Sequence, residues 1–414
     1  MKILNFGSCN IDYVYNVDHI VIPGETLAST SLELFPGGKG LNQSIAVAKA
    51  GAKVYHAGCI GEDGGMLRDV LSGDGVDVSC LKTVKGQSGH AIIQLSKEGQ
   101  NSILLYSGAN GALTEEFIDE VLSQFEKGDF IILQNEMNDI ELVIEKAAEK
   151  GLSIVFNPAP FSDNLKNIDY NKIAYLILNE IEARGLGERE TPEENLGRIK
   201  KLYPETKIVL TVGSKGCIYS DAGVTYYHPA FSVDVVDTTA AGDTFIGYFI
   251  AEVSKGTAVT DAIKTATGAS ALTVSKKGAS TSIPLACEVA KAIKTFKVLS
   301  LSDGRGGSLK EKIDAYFDEH IKDAKLGELA KLLGYSEAYT GRLVQKTMGT
   351  SFSKALQNKR CSLADKLLTE TELSVEEIIS RVGYENESFF RSVFKEKYGA
   401  SPYQYKKQLK REQR

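Results

Sequence analysis

Residues 237–243 read Asp-Thr-Thr-Ala-Ala-Gly-Asp, two carboxylates bracketing a turn of small residues that feeds the apolar, helix-like run Thr244 to Val253. A helix that starts there offers free N–H groups and the positive end of its dipole, which together stabilise an anion. Ala240, Ala241 and Gly242 are small enough for a phosphoryl group to approach the backbone. Asp243 would then stand beside the reacting phosphorus, placed to take a proton from an attacking hydroxyl. The same residues also suit an ordinary capped helix, because Asp and Thr before an apolar run are common N-terminal signals.

A second motif adds weight to the chemical reading. Gly37-Gly38-Lys39-Gly40-Leu41-Asn42-Gln43 closes a strand-like stretch and opens a helical one, Ser44 to Ala50, which ends at Gly51. Glycines let the backbone come close to a ligand, and Lys39 and Asn42 offer donors to hydroxyls. Neither motif has the Gly-x-x-x-x-Gly-Lys-Ser/Thr form of a Walker loop.

With these and further motifs in order, residues 1 to 297 resemble the ribokinase-like (PfkB) carbohydrate kinases, the ribokinases most of all. The resemblance rests on Gly7-Ser8-Cys9-Asn10-Ile11-Asp12, the 37–43 motif, Gly58 to Asp63, Gln134-Asn135-Glu136, Asn157-Pro158-Ala159-Pro160, Asn179-Glu180-Ile181-Glu182, Thr211 to Gly216, the 237–243 motif and Lys277-Gly278-Ala279. It implies an α/β three-layer sandwich with a small β-sheet lid, and ATP-dependent phosphorylation of a sugar, D-ribose to ribose 5-phosphate first among them.

The resemblance also implies roles. Asn10, Asp12, Gly38, Lys39, Asn42, Glu136 and Asp243 match positions at the sugar; Asp243 is the base, and the backbone of Ala240, Ala241 and Gly242 is the anion hole. Asn179, Thr211, Gly213, Ser214 and Gly216 match the nucleotide site, and Asn179 with Glu182 the element that organises Mg²⁺ and its waters. Asp237, Thr239, Thr273, Lys276, Gly278 and Ser282 match a monovalent-cation site, for K⁺. The segments Val14 to Phe35 and His90 to Tyr106 match the lid, which often forms the subunit contact in ribokinases, so a homodimer is expected.

Taken singly, these residues have blander readings. Asn10 and Asp12 also suit a strand end, Asn179 a turn after the apolar run Ile173 to Leu178, and Glu136 a solvated loop acid. Asn157-Pro158 and Pro160 read as a turn without chemistry. What favours function is that polar residues recur at the ends of strand-like runs, where open α/β sheets bind ligands.

At 414 residues the chain is too long for one typical domain. No apolar run reaches the roughly 18 residues of a membrane span, and Met1-Lys2 leads directly into the strand-like Ile3 to Phe6 without a signal-peptide pattern. Six cysteines without a C-x-x-C pair argue against structural zinc and a disulfide framework, and point to a reducing cytoplasm. The formal charge of −6 is unevenly spread: residues 305–414 carry +5 and residues 1–304 carry −11. An acidic body with a basic tail assigns any polyanionic partner to the tail.

The domain boundary is readable. The expected divisions are a kinase domain over 1–298, a linker over 299–308 rich in Gly and Ser, and an all-helical domain over 309–414. Within the last, Leu329 to Ser336 recurs as Ile378 to Glu385, each an amphipathic helix stopping at a glycine before another helix begins. Periodicity alone leaves two plain helical hairpins open. Residues 309–407, however, resemble the AraC/XylS-type DNA-binding domain, with two helix-turn-helix motifs bridged by a long helix over about Ser353 to Thr369. The resemblance is carried above all by Val382 to Phe390, Phe394-Lys395 and Gly399-Ala400-Ser401-Pro402. It implies double-stranded DNA as partner. By position, base contacts fall to Ala338, Gly341 and Arg342 and to Glu387, Ser388, Arg391 and Ser392, and phosphate contacts to Lys346, Lys354, Lys359 and Lys395. Phe390, Phe394 and Tyr398 share one face and are expected in the core.

Two classes of function follow: a working sugar kinase joined to a regulator of carbohydrate genes, or a transcription factor whose kinase-like domain senses sugar or nucleotide without turnover. An intact Asp243, Asn179 and Glu182 favour the first, since a pure sensor has no need of a base.

Overall fold

The computed structural model describes residues 1–222, 224–297, 309–333, 337–371, 373–384 and 386–412. The expected linker 299–308, residues 334–336, Glu385 and the side chain of Ala338 lie outside the described residues. The chain divides into two compact units, Met1–Leu299 and Ser300–Arg414.

The first unit contains thirteen strands among the described residues: β1 (Ile3–Phe6), β2 (Asn10–Val17), β3 (Ser31–Gly37), β4 (Val54–Ile60), β5 (Leu81–Thr83), β6 (Gly89–Ser96), β7 (Asn101–Tyr106), β8 (Phe130–Gln134), β9 (Ser153–Asn157), β10 (Tyr175–Leu178), β11 (Lys207–Thr211), β12 (Cys217–Asp221) and β13 (Val224–His228). Nine of them form one sheet in the order β13-β12-β11-β10-β9-β8-β1-β4-β5. From β11 to β5 all neighbours are parallel, and β12 and β13 finish one edge antiparallel.

Parallel strands covered on both faces read as nearly continuous apolar runs, and successive side chains must then enter different cores. They do: Ile3, Phe130 and Ile132 enter one core, and Leu4, Phe6, Ile131 and Leu133 the other. Helices supply the opposite wall of each core, giving the expected three layers. Chain order runs outward in both directions from β1, so the carboxyl ends of β1, β8, β9, β10 and β11 border the switch point where such sheets bind ligands.

The other four strands form the expected lid, ordered β3-β2-β6-β7. Its central pair, β2 and β6, is parallel, and its outer pairs are antiparallel. Leu34, Tyr13, Ile92 and Leu104 are cross-strand partners and therefore share one face; Leu34, Ile92 and Leu104 are exposed on it.

The described part of the second unit is helical: Leu309–Glu319, Leu326–Leu333, Glu337–Met348, Phe352–Glu370, Val375–Arg381, Glu387–Tyr398 and Pro402–Glu412. The bridging helix, capped by Ser351, serves two cores. Its first half packs Ala355 and Leu356 with Ile313, Phe317, Leu329 and Val344; its second half packs Cys361, Ala364 and Leu368 with Ile378, Val382, Phe390 and Phe394. Phe390 and Phe394 are fully buried and Tyr398 packs beside them, as their spacing requires. Arg360 ties the halves together. Its guanidinium donates to the carbonyls of Ile321 and Lys322, each at 2.8 Å, and lies 5.1 Å over the ring of Tyr384.

Candidate active site

Two helices meet behind the switch point. One, Lys39–Lys49, begins directly after Gly38, whose φ of 95° is open to glycine at little cost. The other is Ala241–Ser254. Both begin earlier than their apolar runs suggest, the first five residues earlier and the second three, because glycine-containing first turns carry little periodic signal. They cross at Gly247, where a Cβ would stand 2.4 Å from that of Ala46.

This crossing brings Asp243 to Asn42 and Gln43. Asn42 Nδ2 donates to Asp243 Oδ2 at 3.0 Å and Gln43 Nε2 to Oδ1 at 2.9 Å. Each carboxylate oxygen is thereby aimed, and the carboxylate sits in the first turn of its helix. Ala240 holds a left-handed conformation, φ 59°, at the N-cap. Ala240, Ala241, Gly242 and Asp243 line a cavity of about 240 Å³ together with Lys39, Asn157, Asn179, Glu182, Thr211 and Thr238.

Asn179 and Glu182 form a capping box at the end of β10. Asn179 N donates to Glu182 Oε2 at 2.8 Å and Asn179 Nδ2 to Oε1 at 2.9 Å, while Asn179 Oδ1 receives the N–H groups of Ile181 and Glu182. Burial raises the Glu182 pKa above its ordinary value, against the Asn179 N–H and the Lys39 charge, and Asp243 adds to the rise. Burial works against the Lys39 ammonium, but the carboxylates of Asp243, Glu136 and Glu182 outweigh it and hold its pKa up.

The remaining sugar-site candidates gather at the start of the lid. Glu136 Oε2 receives the Ser8 hydroxyl and, at 3.1 Å, the Lys39 N–H. Asn10 Oδ1 receives Asn110 Nδ2 at 2.7 Å. Asp12 lies on β2 opposite Phe35, and a Cβ at Gly37 would stand 2.2 Å from its Oδ2, so only glycine leaves room for the carboxylate. Burial, reinforced by Glu136, pushes the Asp12 pKa up to about 7.

Thr211 closes β11, and Gly213 and Ser214 form a short turn behind it that returns to Gly216, whose carbonyl accepts the Val212 N–H at 2.8 Å. Among the monovalent-cation candidates, Asp237 Oδ1 receives the N–H and hydroxyl of Thr239, and Oδ2 the Gly278 N–H at 3.0 Å. Burial opposes the Asp237 charge, yet these donors outweigh it and hold its pKa below the ordinary value. The Thr273 carbonyl accepts the Lys276 N–H at 3.1 Å and the Ser282 hydroxyl donates to the Ala279 carbonyl at 2.7 Å.

In the second unit Ser388, Arg391, Ser392 and Lys395 are exposed at helical spacing along one stripe of Glu387–Tyr398, and Arg342 and Lys346 are exposed one turn apart on Glu337–Met348. Arg391 is paired with Glu387 at 3.1 Å and Glu376 at 3.6 Å. Lys354 is paired with Glu396, and Lys359 with Asp314 and Asp318.

Residues 1–286 match the model of the pfkB family carbohydrate kinases, more than half of the chain. The chain belongs to that family. Residues 329–408 match a helix-turn-helix domain, and the second unit is of the AraC type. The chain is 36% identical over 290 residues to a ribokinase of Haemophilus influenzae, covering 67% of this chain and 94% of that one. It is 31% identical over 294 residues to a deoxyribokinase of Salmonella typhi, covering 69% and 96%. The structure of Arabidopsis thaliana ribokinase complexed with ribose and ATP superposes with a TM-score of 0.63 at 27% identity, covering 70% and 98%. This pfkB-family chain is an ATP-dependent sugar kinase.

Gln43, Gln134, Ser8 and Asn157 lie within motifs of the family without a task legible in the sequence, where Asn157 reads only as a turn residue. In the structure Asn157 lies buried at the carboxyl end of β9, lines the cavity and donates to the Ile177 carbonyl at 3.0 Å. A signal was present: Asn5 inside Ile3–Phe6 and Gln134 at the end of Phe130–Gln134 are amides in otherwise apolar strands, and buried amides require partners.

Proposed function

We propose that the chain transfers the γ-phosphoryl group of ATP to the primary hydroxyl of D-ribose, giving ribose 5-phosphate and ADP, and that its second unit binds double-stranded DNA near carbohydrate genes. The observation that carries the kinase reading is the Asp243 carboxylate, fixed by Asn42 and Gln43 in the same cavity as the Asn179–Glu182 pair. Asp243 takes the proton of the attacking hydroxyl, and the N–H groups at Ala240 to Gly242 stabilise the transferring phosphoryl group. Asn10, Asp12, Gly38, Lys39, Asn42 and Glu136 hold the sugar. Charged and amide acceptors clustered at the lid suit a polyol, since a carboxylate can accept from two hydroxyls at once.

The nucleotide lies along Thr211, Gly213, Ser214 and Gly216. Asn179 and Glu182 are the residues that would meet Mg²⁺ through its waters, which fits a carboxylate whose two oxygens already serve a helix cap. When bound, that ion neutralises phosphate charge. A monovalent cation, K⁺ by preference, would sit at Asp237 with oxygens of Thr239, Lys276, Gly278 and Ser282, whose hydroxyl donates to Ala279 and keeps its lone pairs; the Thr273 carbonyl would have to be shared with the Lys276 N–H.

Residues 1–298 are the kinase domain in this reading and 309–414 the DNA-binding domain. The apolar face of Leu34, Ile92 and Leu104 supports a homodimer through the lid. Among the described residues no helix is long and apolar enough to cross a membrane, and the reduced cysteines support a cytoplasmic protein. Any coupling of the two activities requires sugar or nucleotide to bind two states of the protein unequally.

The test is ATP turnover by the full chain against a sugar panel with Mg²⁺ and K⁺, with direct detection of the sugar phosphate. Ribose-dependent turnover is expected, and Asp243→Asn should remove it. Saturable ribose binding without turnover on any sugar would make the first unit a sensor.

A further inference from the structure

Beneath the cavity floor runs a chain of buried amides that ends on Asp243. Asn5, Gln134 and Gln43 are inaccessible to solvent and Asn157 nearly so. Asn5 Nδ2 donates to the Gly40 carbonyl at 2.8 Å; Gln134 Nε2 donates to Asn5 Oδ1 at 2.9 Å and to Gln43 Oε1 at 2.8 Å; Gln43 Nε2 donates to Asp243 Oδ1 at 2.9 Å.

A primary amide has a donating and an accepting end of nearly equal size, so its direction is decided by its neighbours. If Gln43 turned over, it would present oxygen to the Asp243 carboxylate and withdraw a hydrogen bond from it. What prevents this is a sequence of obligations that begins at the main chain. The Gly40 carbonyl only accepts, so Asn5 must point Nδ2 at it and Oδ1 at Gln134. Gln134 must answer with Nε2, and its second N–H then fixes Oε1 of Gln43. A second constraint comes from the other side. The Ile177 carbonyl also only accepts, which turns Asn157 Nδ2 toward it and leaves Asn157 Oδ1 to receive Gln43 Nε2 at 3.4 Å. The same Asn157 Nδ2 lies 3.5 Å from Glu182 Oε2, so the chain also reaches the other carboxylate of the cavity.

We infer that Gln134 is a positioning residue for phosphoryl transfer: it touches no reacting group, and it sets the direction of the Gln43 amide so that Asp243 receives a donor. Gln134 Oε1, buried with no hydrogen-bond partner, is consistent with a residue kept for its donor end.

This inference rests on Asp243 being the base. The experiment is steady-state kinetics of the full chain with ribose and MgATP, comparing Gln134→Met, Gln43→Met, the double variant and Asp243→Asn. Gln134→Met should lower kcat at least tenfold while both KM values stay within about threefold. The double variant should be no worse than Gln43→Met alone, because the two act through one hydrogen bond to Asp243; a merely structural loss at Gln134 would multiply with that at Gln43. If Gln134→Met does not fold, Gln134→Leu also removes every side-chain donor with a smaller apolar group, and should show the same fall in kcat. Turnover within twofold of the parent in the Gln134 variant, or losses that multiply, would overturn the inference while Asp243→Asn still abolished activity. Retained turnover in Asp243→Asn would instead overturn the base assignment itself.

Discussion

Asn42 and Asp243 stand 201 positions apart in the chain, yet the Asn42 amide donates to the Asp243 carboxylate at 3.0 Å. Asn42 Oδ1 is buried with no partner in the protein, so in the proposed reaction the same side chain would hold the base with one end and keep an acceptor for a ligand hydroxyl at the other. Loss of one hydrogen bond to a charged group is worth about 1.5–3 kcal/mol. Asn42→Ala should therefore lower kcat/KM for the sugar by roughly 10- to 100-fold. A loss confined to sugar KM, with kcat unchanged, would separate Asn42 from the base.

With Asp12 at the proposed sugar site, sugar affinity should depend on pH. Its pKa, pushed up to about 7 by burial and then by Glu136, means that the sugar-free protein holds a proton there in mildly acidic solution. The ionised carboxylate is the stronger acceptor for two hydroxyls, so ribose affinity measured by calorimetry should fall by up to roughly tenfold between pH 8 and pH 6. Asp12→Asn should bind weakly with a flatter profile.

The same residue fixes the sign of a stability effect. The folded-state value lies above that of the ordinary carboxyl, 3.8, so the native chain retains a proton the unfolded chain has lost. Stability is thereby lost as pH rises through the window from about 4 to 7. Asp12→Asn should melt higher than the parent at pH 8, with the difference vanishing near pH 4.

Glu182 is held by two Asn179 donors, and an amide in its place would turn an N–H against one of them. Glu182→Gln should raise the Mg²⁺ concentration needed for half-maximal turnover by roughly 10- to 100-fold. Magnesium titration at saturating ATP measures it. An unchanged requirement would leave Glu182 as a helix cap alone.

Arg391 and Lys346 should fail differently. On duplexes selected by the protein from a random pool, Arg391→Ala should weaken binding by about 1–3 kcal/mol and relax the preference at one base pair. Lys346→Ala should weaken all duplexes alike and reduce the salt slope by about 1. Neither should alter sugar phosphorylation; if Arg391→Ala slows it, the division of labour is wrong.

Much of this site was legible because its residues are punctuated locally. Asp243 follows small residues and precedes an apolar run, and Asn179 and Glu182 have the spacing of a capping box, so both positions follow from neighbours in sequence. The three layers are what the family resemblance implies, and the bridging helix, expected over about Ser353 to Thr369, spans Phe352–Glu370. What was not legible depends on contacts across the sheet. The direction of Gln43 is set by Gln134 on β8 and Asn5 on β1, and Asn157 reads as a turn residue until β9 and β10 lie side by side. The pairing of Lys359 with Asp314 and Asp318 joins two helices whose packing no local pattern states.

The glycines of the 37–43 motif carry a last consequence. A Cβ on Gly40 would lie 2.4 Å from the carbonyl carbon of Gly7, and one on Gly7 would lie 2.6 Å from the Gly40 Cα, so two stretches of main chain occupy one crossing with no space for a methyl group on either. The motif thus contains two kinds of position. Lys39 lines the cavity and Asn42 donates to Asp243, so a change at either bears on the chemistry before it bears on the fold. Gly40 belongs to the chassis, and libraries aimed at new sugars should leave it and Gly7 untouched.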